Sequence, residues 1–302
     1  MTVAQMQKVL RKAKIDHTEA PAHWGDIRQH AYYSFVYHLQ ILLNNRTYPN
    51  YQSHRADRVA QEFRTYLRRV LLHPIEILKR YITTRRIIHS GQAYHLVLMQ
   101  LEHDSAFLMH SPFTSMPEFL RCVTKAFAAG APRHHRLVFK AHPLESGRRA
   151  LARDVAALAA QYKIADRVDY VPGGKLAQLL DHARSAVTVN STAGQQALWR
   201  GIPLKAFGKA VYNKPQFVSD LPLAEFFANP PYPDNAAYLD YRRYLLETSQ
   251  LPGGYYSARG RRQLLRQVID MLLSDLDPFE AFEYGNSASL SGRANKKNHQ
   301  AN

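Results

Sequence analysis

Three clusters of polar residues stand directly after apolar, strand-like segments of the sequence. They are Gln100 with Asp104, Lys140 with His142, and Asn190 with Ser191 and Thr192. Amides, hydroxyls, a cation and a carboxylate together suit a site for a sugar nucleotide, with hydroxyls on the phosphate and a carboxylate near the anomeric carbon. Because the carboxyl ends of parallel strands open onto one crevice, we expect the three clusters to meet there.

Each of these residues also has a simpler interpretation. Taken alone, His142 fits a structural histidine, Lys140 a solvated charge at a sheet edge, and Asp104 a helix cap or turn residue. Ordinary capping of a strand-to-helix turn, with Ser191 or Thr192 as the N-cap, explains the third cluster equally well. It is the shared position of the clusters at strand ends that favours a site.

The third cluster lies in the most informative stretch, residues 186–212. Free N–H groups at the start of a helix predicted over 195–200, together with the helix dipole, would favour an anion. Gly194 has no side chain and would let another group approach the backbone, while Gly201 and Pro203 are expected to end the helix. A phosphate-bearing ligand is therefore the first expectation for this turn.

The elements that must position these residues alternate between strands and helices. The alternation predicts an α/β fold with a mainly parallel sheet. The predicted strands are 94–99, 136–141, 168–171, 186–189 and 204–207. The predicted helices are 3–12, 30–44, 56–72, 74–88, 149–162, 175–182, 195–200, 235–248 and 258–273, with a further helix capped by Ser115.

Three segments are expected along the chain. Residues 1–90 form a helical N-terminal segment, residues 91–280 a Rossmann-like nucleotide-binding domain with C-terminal helices, and residues 281–302 a disordered polar tail. The amphipathic helices 56–72 and 74–88 are basic. They could lie against an anionic membrane surface or present solvated outer faces to water.

Composition narrows the class of protein. The 302 residues are 46% apolar, enough for a real core, and no apolar run resembles a signal peptide or a membrane span. The one cysteine, Cys122, excludes an internal disulfide and a thiolate metal cluster, which fits a reducing compartment. A formal charge of +16 predicts attraction to nucleic acid, anionic lipid or nucleotide phosphates. Nucleic acid is the least favoured of these, because no RNA-recognition, zinc-finger or glycine-rich phosphate-loop motif occurs.

Four blocks of the sequence carry a family resemblance. They are LMQLEHDSAFLMHSPF, VFKAHPLESG, VDYV with the following Pro-Gly-Gly, and VNSTAGQQALWRGIPLKAFGKAVY. In this order they resemble the bacterial capsule polysaccharide proteins of the KpsS/LipB and KpsC/LipA group, which transfer β-linked Kdo. The similarity covers roughly residues 48–279, and the last block is the most specific.

The resemblance implies a GT-B glycosyltransferase that uses CMP-Kdo and builds the Kdo linker between a phosphatidylglycerol-type lipid and the capsule chain. Asp104 matches the acidic position expected to be the catalytic carboxylate, with Gln100 beside it. The residues assigned to donor binding are Lys140, His142, Pro143, Asn190, Ser191, Thr192, Gly194 and Gln195. Retention of configuration would need a carboxylate nucleophile or front-face attack, and both stay open.

The same resemblance implies partners and a location. We expect a CMP-sugar donor, a phosphatidylglycerol-type acceptor, an anionic inner-membrane surface and other capsule assembly proteins as partners, with no nucleic acid. The expected location is the cytoplasm, peripheral to the inner membrane. No cofactor and no metal are expected, because no ligand spacing for a divalent ion occurs in the sequence.

One departure from the family pattern concerns the amino-terminal half of the GT-B pair. Family members carry this Rossmann-like half before the block TYPNYQSHR, and this chain starts too late for it. The sequence therefore predicts a truncated reading frame or a half supplied elsewhere, with residues 1–90 as a remnant of the acceptor side and linker helices. Two functions stay open: a Kdo transferase, and a catalytically impaired component that binds the donor.

Overall fold

The computed structural model describes residues 27–44, 77–142, 148–255, 257–275 and 277–283, together with Met6, Ile75 and Glu145. The chain divides into two compact units, one of residues 72–238 and one of residues 1–71 with 239–302. The predicted helix 56–72 and the tail beyond residue 283 lie outside the described residues, as does the predicted helix 3–12 apart from Met6. The predicted domain limits stay predictions.

A five-stranded parallel sheet lies in the unit of residues 72–238. Its strands are β1 (Tyr94–Leu98), β2 (Arg136–Lys140), β3 (Val168–Val171), β4 (Ser185–Thr188) and β5 (Leu204–Ala206). They stand in the order β3-β2-β1-β4-β5, and every neighbouring pair is parallel. This is the Rossmann-like order, in which the chain reverses direction across the sheet between β1 and β4. The predicted α/β fold class is confirmed.

Helices are described in both units of the chain. They are α1 (Ile27–Asn44), α2 (Ser105–His110), α3 (Met116–Gly130), α4 (Arg148–Gln161), α5 (Leu176–Leu180), α6 (Ala193–Trp199), α7 (Leu223–Ala228), α8 (Asn235–Thr248), α9 (Ala258–Leu272) and α10 (Pro278–Glu283). Residues 77–89 are also helical, and Ala165–Arg167 form a 3₁₀ turn. Among the described helices, none has the length and hydropathy that crossing a membrane requires.

The strands are mostly apolar because both faces of the sheet are covered. All five residues of β1 are buried, and so are all four of β4. Val97 and Phe139 pack with Phe119 and Phe127 of α3 in the main core. A parallel sheet with two covered faces is expected to show such continuous apolar runs, which is why these strands could be found from the sequence.

The start of α3 departs from the prediction that Ser115 caps it. Ser115 occupies the N-cap position, but its side chain makes no capping hydrogen bond. Instead the Met116 N–H donates to Glu102 Oε2 at 3.0 Å, and Glu118 accepts from the Thr114 N–H at 2.8 Å. These hydrogen bonds from Thr114 hold the pKa of Glu118 below its usual value. Glu102, on the loop after β1, thus fixes α3 to the edge of the sheet that carries the predicted site.

A row of hydrogen-bonded, buried polar side chains lies at the opposite edge of the sheet, where the strands begin. His95 Nδ1 lies 2.7 Å from Ser185 Oγ, and His95 Nε2 lies 3.0 Å from His135 Nδ1. Burial, with the positive field of Arg184 and Arg167, lowers the pKa of His95 to about 3, and burial likewise lowers that of His135 to about 4. Both rings are therefore neutral in the folded state, and they join β1, β4 and the turn before β2.

Candidate active site

The first and third polar clusters meet directly at the switch point of the sheet. Leu98 and Thr188 pair in the β1–β4 register, so Gln100 and Asn190 both stand two residues beyond the strands. Gln100 Nε2 donates to Asn190 Oδ1 at 2.6 Å, and the Asn190 N–H donates to Gln100 Oε1 at 3.2 Å. Asn190 Nδ2 also donates to the Ala106 carbonyl oxygen at 2.6 Å. The predicted convergence therefore takes the form of a reciprocal amide pair.

Both members of this pair are buried, with 5% of Gln100 and 6% of Asn190 exposed. Their amides are engaged with each other and with the start of α2, so their evident contribution is to hold two strand ends and a helix in place. A direct catalytic role for Gln100 stays a prediction. Removing one partner would leave a buried amide of the other without its hydrogen bond, which is costly in a protein interior.

The second cluster stands next to the pair because β2 neighbours β1. Lys140 pairs with Leu98 in the register, and the Met99 N–H donates to the Lys140 carbonyl oxygen at 3.1 Å. The Lys140 side chain is buried, and its Nζ donates to the Ala141 carbonyl oxygen at 3.3 Å. His142 follows and is half-buried, while Pro143 lies outside the described residues. A cation and an imidazole thus occupy the same edge as the amide pair.

The turn between β4 and α6 is tied to β1 and to itself. Thr188 Oγ1 donates to the Leu98 carbonyl oxygen at 3.0 Å and accepts from the Ser191 N–H at 3.3 Å. The Ala193 N–H donates to Ser191 Oγ at 3.2 Å, and the N–H groups of the next two residues donate to carbonyl oxygens of the turn. The prediction of free N–H groups at this helix start is therefore wrong for residues 193–195, because the turn satisfies them itself.

Hydroxyl groups are what this turn can offer a ligand instead. Thr192 takes the N-cap position without a side-chain capping bond, and it is exposed, while Ser191 is half-buried. The helix begins at Ala193, directly after Thr192, one of its two predicted N-caps, and Gly201 ends it as predicted with a φ of 69°. The Ile202 N–H donates a hydrogen bond to the Ala197 carbonyl oxygen, and the Gly201 N–H donates to that of Leu198. This is the pattern of a Schellman motif.

Tyr212 supports the turn and gives no local signal in the sequence. Its hydroxyl donates to the Ser191 carbonyl oxygen at 2.6 Å, and only 1% of the residue is exposed. A Cβ placed on Gly194 would lie 2.6 Å from the Tyr212 hydroxyl oxygen, so Tyr212 is the group that approaches the backbone there. Burial raises the pKa of Tyr212, which keeps the hydroxyl protonated as a donor. Tyr238 adds a second support, donating to the Gln195 carbonyl oxygen at 3.2 Å.

Asp104 stands at the N-cap of α2, on the loop that follows β1. Its carboxylate accepts from the Ala106 N–H at 3.4 Å and is exposed. Because Asn190 binds the carbonyl oxygen of Ala106, α2 is fixed beside the switch point and Asp104 lies near this edge. Asp104 therefore combines a capping contact with an exposed charge. Among the residues that the structure describes, no group of three or more His, Cys, Asp or Glu side chains could hold a metal ion.

The sequence matches the family described as "Capsule polysaccharide biosynthesis protein" over residues 4–256. The chain belongs to this family. The family predicted from the four sequence blocks is thereby confirmed. The match covers β1 to β5 and both polar turns at the switch point, so the amide pair and the Ser191 turn lie within the region that matches the family.

Three known proteins are similar to this chain in sequence or structure. Capsule polysaccharide modification protein LipB of Neisseria meningitidis serogroup B is 32% identical over 227 residues, covering 73% of this chain and 53% of LipB. Capsule polysaccharide export protein KpsS of Escherichia coli is 30% identical over 210 residues, covering 69% and 54%. A solved structure of Thermosulfurimonas dismutans KpsC, a beta Kdo 2,7 transferase, is 19% identical with a TM-score of 0.31, covering 49% and 50%. The chain spans about half the length of the curated relatives it matches.

Proposed function

We propose that this chain contains the donor-binding half of a GT-B glycosyltransferase that moves β-Kdo from CMP-Kdo to a phosphatidylglycerol-type lipid in capsule biosynthesis. The observation that carries the proposal is the Gln100–Asn190 pair at the switch point of the sheet. Doubly wound sheets bind nucleotides in the crevice at that point. Family membership and the resemblance of the four blocks to β-Kdo transferases support the choice of donor.

The donor side of the proposed site lies across the ends of β2 and β4. In this proposal His142, with Pro143, contacts the cytidylate, and the hydroxyls of Ser191 and Thr192 bind its phosphate. Lys140 offsets the negative charge that the phosphate and the sugar carboxylate bring to the edge of the sheet. The hydrogen bonds of Tyr212 and the amide pair hold these groups in place before the ligand arrives, which limits the ordering cost of binding.

The proposed reaction exchanges one bond at the anomeric carbon for another. The bond from this carbon to the phosphate oxygen breaks, and CMP leaves with the bonding electrons. The anomeric carbon forms a bond to the hydroxyl oxygen of the lipid. In a front-face attack, the exposed carboxylate of Asp104 takes the proton of the lipid hydroxyl as this hydroxyl bonds to the anomeric carbon. In a double displacement, Asp104 first bonds to the anomeric carbon, and the lipid hydroxyl then displaces it and passes its proton to the freed carboxylate. Both routes retain the configuration. The scheme uses no cofactor and no metal.

A second candidate function is a donor-binding component without turnover. One observation favours it: the chain spans about half the length of its curated relatives. The matched half alone therefore need not carry the activity of a whole relative. Both candidates place the protein at the cytoplasmic face of the inner membrane, in contact with anionic lipid and with other capsule assembly proteins. They differ in whether CMP is released.

Incubating the purified chain with CMP-Kdo and phosphatidylglycerol vesicles separates the two candidates. We expect acceptor-dependent CMP release about tenfold or more above the rate without vesicles, because positioning and acid–base chemistry each exceed that factor. Vesicles of phosphatidylcholine are the matched control and should give the background rate. CMP binding without release would select the second candidate, and failure to bind CMP would contradict both.

A further inference from the structure

Residues 207–213, the β5 loop, follow β5 and are tied at one end to the turn after β4. The Gly208 N–H donates to the Val189 carbonyl oxygen at 2.7 Å. A Cβ placed on Gly208 would lie 2.6 Å from the His110 carbonyl oxygen and 3.0 Å from Asn190 Nδ2. Because glycine has no side chain to block so close an approach, the loop passes directly beside Asn190 of the amide pair.

The other end of the β5 loop supports Ser191. Tyr212 is buried, and its hydroxyl donates to the Ser191 carbonyl oxygen at 2.6 Å. Asn213 Nδ2 donates to the Gly208 carbonyl oxygen at 2.9 Å, which links the two ends of the loop. The β5 loop is therefore held against the turn that carries the proposed phosphate-binding hydroxyls.

Lys209 lies between the two ends of the β5 loop. Its N–H donates to the His110 carbonyl oxygen at 2.9 Å, which sets its backbone beside the end of α2, and the residue is exposed. β5 is the direct neighbour of β4 in the sheet, whereas Lys140 of β2 is two strands from β4, about 10 Å at the usual strand spacing. Lys209 is thus a cation at the strand end next to the Ser191 turn.

We propose that Lys209 is a further donor-binding residue whose ammonium group binds the phosphate of the donor. This inference rests on the proposed function, because it adds a cation to the phosphate site at the Ser191 turn. The hydroxyls of Ser191 and Thr192 carry no charge that could offset that of the phosphate. A lysine places a compact positive charge on a flexible stem, so Lys209 can approach a phosphate bound at the neighbouring turn. Its attraction to the phosphate weakens as salt rises, because the residue is exposed.

Calorimetric titration of three probes tests the assignment. The probes are cytidine, which carries no anion, CMP, which carries phosphate, and free Kdo, which carries the carboxylate. Lys209→Gln is expected to weaken CMP binding by about tenfold at low salt, within the usual range of a hydrogen bond to a charged group, and to leave cytidine within about twofold. The difference between the variant and the wild type should shrink as salt is added. Lys209→Arg keeps the charge and should bind CMP within about threefold of the wild type.

Lys125→Gln is the matched control, because it removes the same charge from another exposed lysine of the same unit. Lys125 lies in the second half of α3, away from the helix start that Glu102 fixes to the carboxyl edge. This variant should bind all three probes like the wild type. Lys209→Gln keeps the N–H that bonds the end of α2, so its melting temperature should match that of the wild type. A lower melting temperature with equal losses of cytidine and CMP affinity would make Lys209 a support of the loop and overturn the assignment.

The remaining outcomes separate this inference from the proposed function. Equal CMP affinities of Lys209→Gln and the wild type, with CMP release intact, would overturn the role of Lys209 and leave the proposed function standing. Unchanged CMP affinity with weakened Kdo would move Lys209 to the sugar carboxylate and overturn its assignment to the phosphate. Lys209-dependent CMP binding without any transfer would support the inference and contradict the transferase. A wild type that binds none of the probes would overturn both.

Discussion

Asp104→Asn is expected to lower acceptor-dependent CMP release by about a hundredfold or more, the usual worth of a positioned acid–base group. Asparagine keeps an oxygen that can accept the Ala106 N–H at the start of α2, so the helix cap survives while the charge is lost. The CMP dissociation constant should stay within about twofold, because Asp104 is not assigned to the nucleotide. Release is measured by coupled detection of free CMP, and binding by calorimetry.

Asp104→Ala separates the charge from the cap. It removes both, so it should lose the same activity and also about 1 kcal/mol of stability, the typical cost of an N-cap deletion. If Asp104→Asn turned over like the wild type while Asp104→Ala did not, the residue would be a cap alone. The exposed carboxylate would then have no place in the reaction.

Gly194→Ala is expected to destabilise the fold by about 1–3 kcal/mol, the range of an overpacked core position. Helix propensity alone predicts the opposite sign, because alanine favours a helix by about 1 kcal/mol over glycine. The added Cβ would lie 2.6 Å from the Tyr212 hydroxyl oxygen and 2.8 Å from its Cζ, inside contact distance. Tyr212 or the Ser191 turn must move, so CMP binding should weaken as well. Urea unfolding and calorimetry measure the two effects.

A double-mutant cycle shows whether the Tyr212 hydroxyl causes the destabilisation by Gly194→Ala. Tyr212→Phe removes the nearest atom and the hydrogen bond to Ser191, and should itself cost about 1 kcal/mol. Adding Gly194→Ala to Tyr212→Phe should cost less than adding it to the wild type. Equal costs in the two backgrounds would show that the Tyr212 hydroxyl is not the cause, and would leave the ring carbon Cζ, 2.8 Å from the added Cβ, as the group that the substitution displaces.

The parts of the fold that could be predicted are those with a strong local signal. The strand 168–171 and the helix 235–248 have their predicted bounds, and the other predicted strands lie within one residue of the observed ones. Gly201 ends α6 as predicted, because the positive φ that often follows a helix is needed at a single residue and is favourable for glycine. The parallel order then brought Gln100 and Asn190 together, as strand ends of one sheet must.

What could not be predicted depends on contacts between distant parts of the chain. Tyr212 supports Ser191 from 21 residues away, and Lys209 is held beside the same turn by a hydrogen bond to the end of α2. Glu102 takes the capping role that was expected of Ser115, and it could not be identified from the sequence because it precedes the helix by 14 residues. Periodicity and turn residues report only on neighbours in sequence, so they show where a site forms but not which side chains complete it.

A crystal structure of the chain with saturating CMP tests whether the carboxyl edge of the sheet holds the nucleotide. We expect electron density for the nucleotide between the ends of β2 and β4, with His142 near the cytidylate and the Ser191 or Thr192 hydroxyl within about 3.2 Å of a phosphate oxygen. Density for CMP at any other surface, or none at this edge, would contradict the proposed donor site.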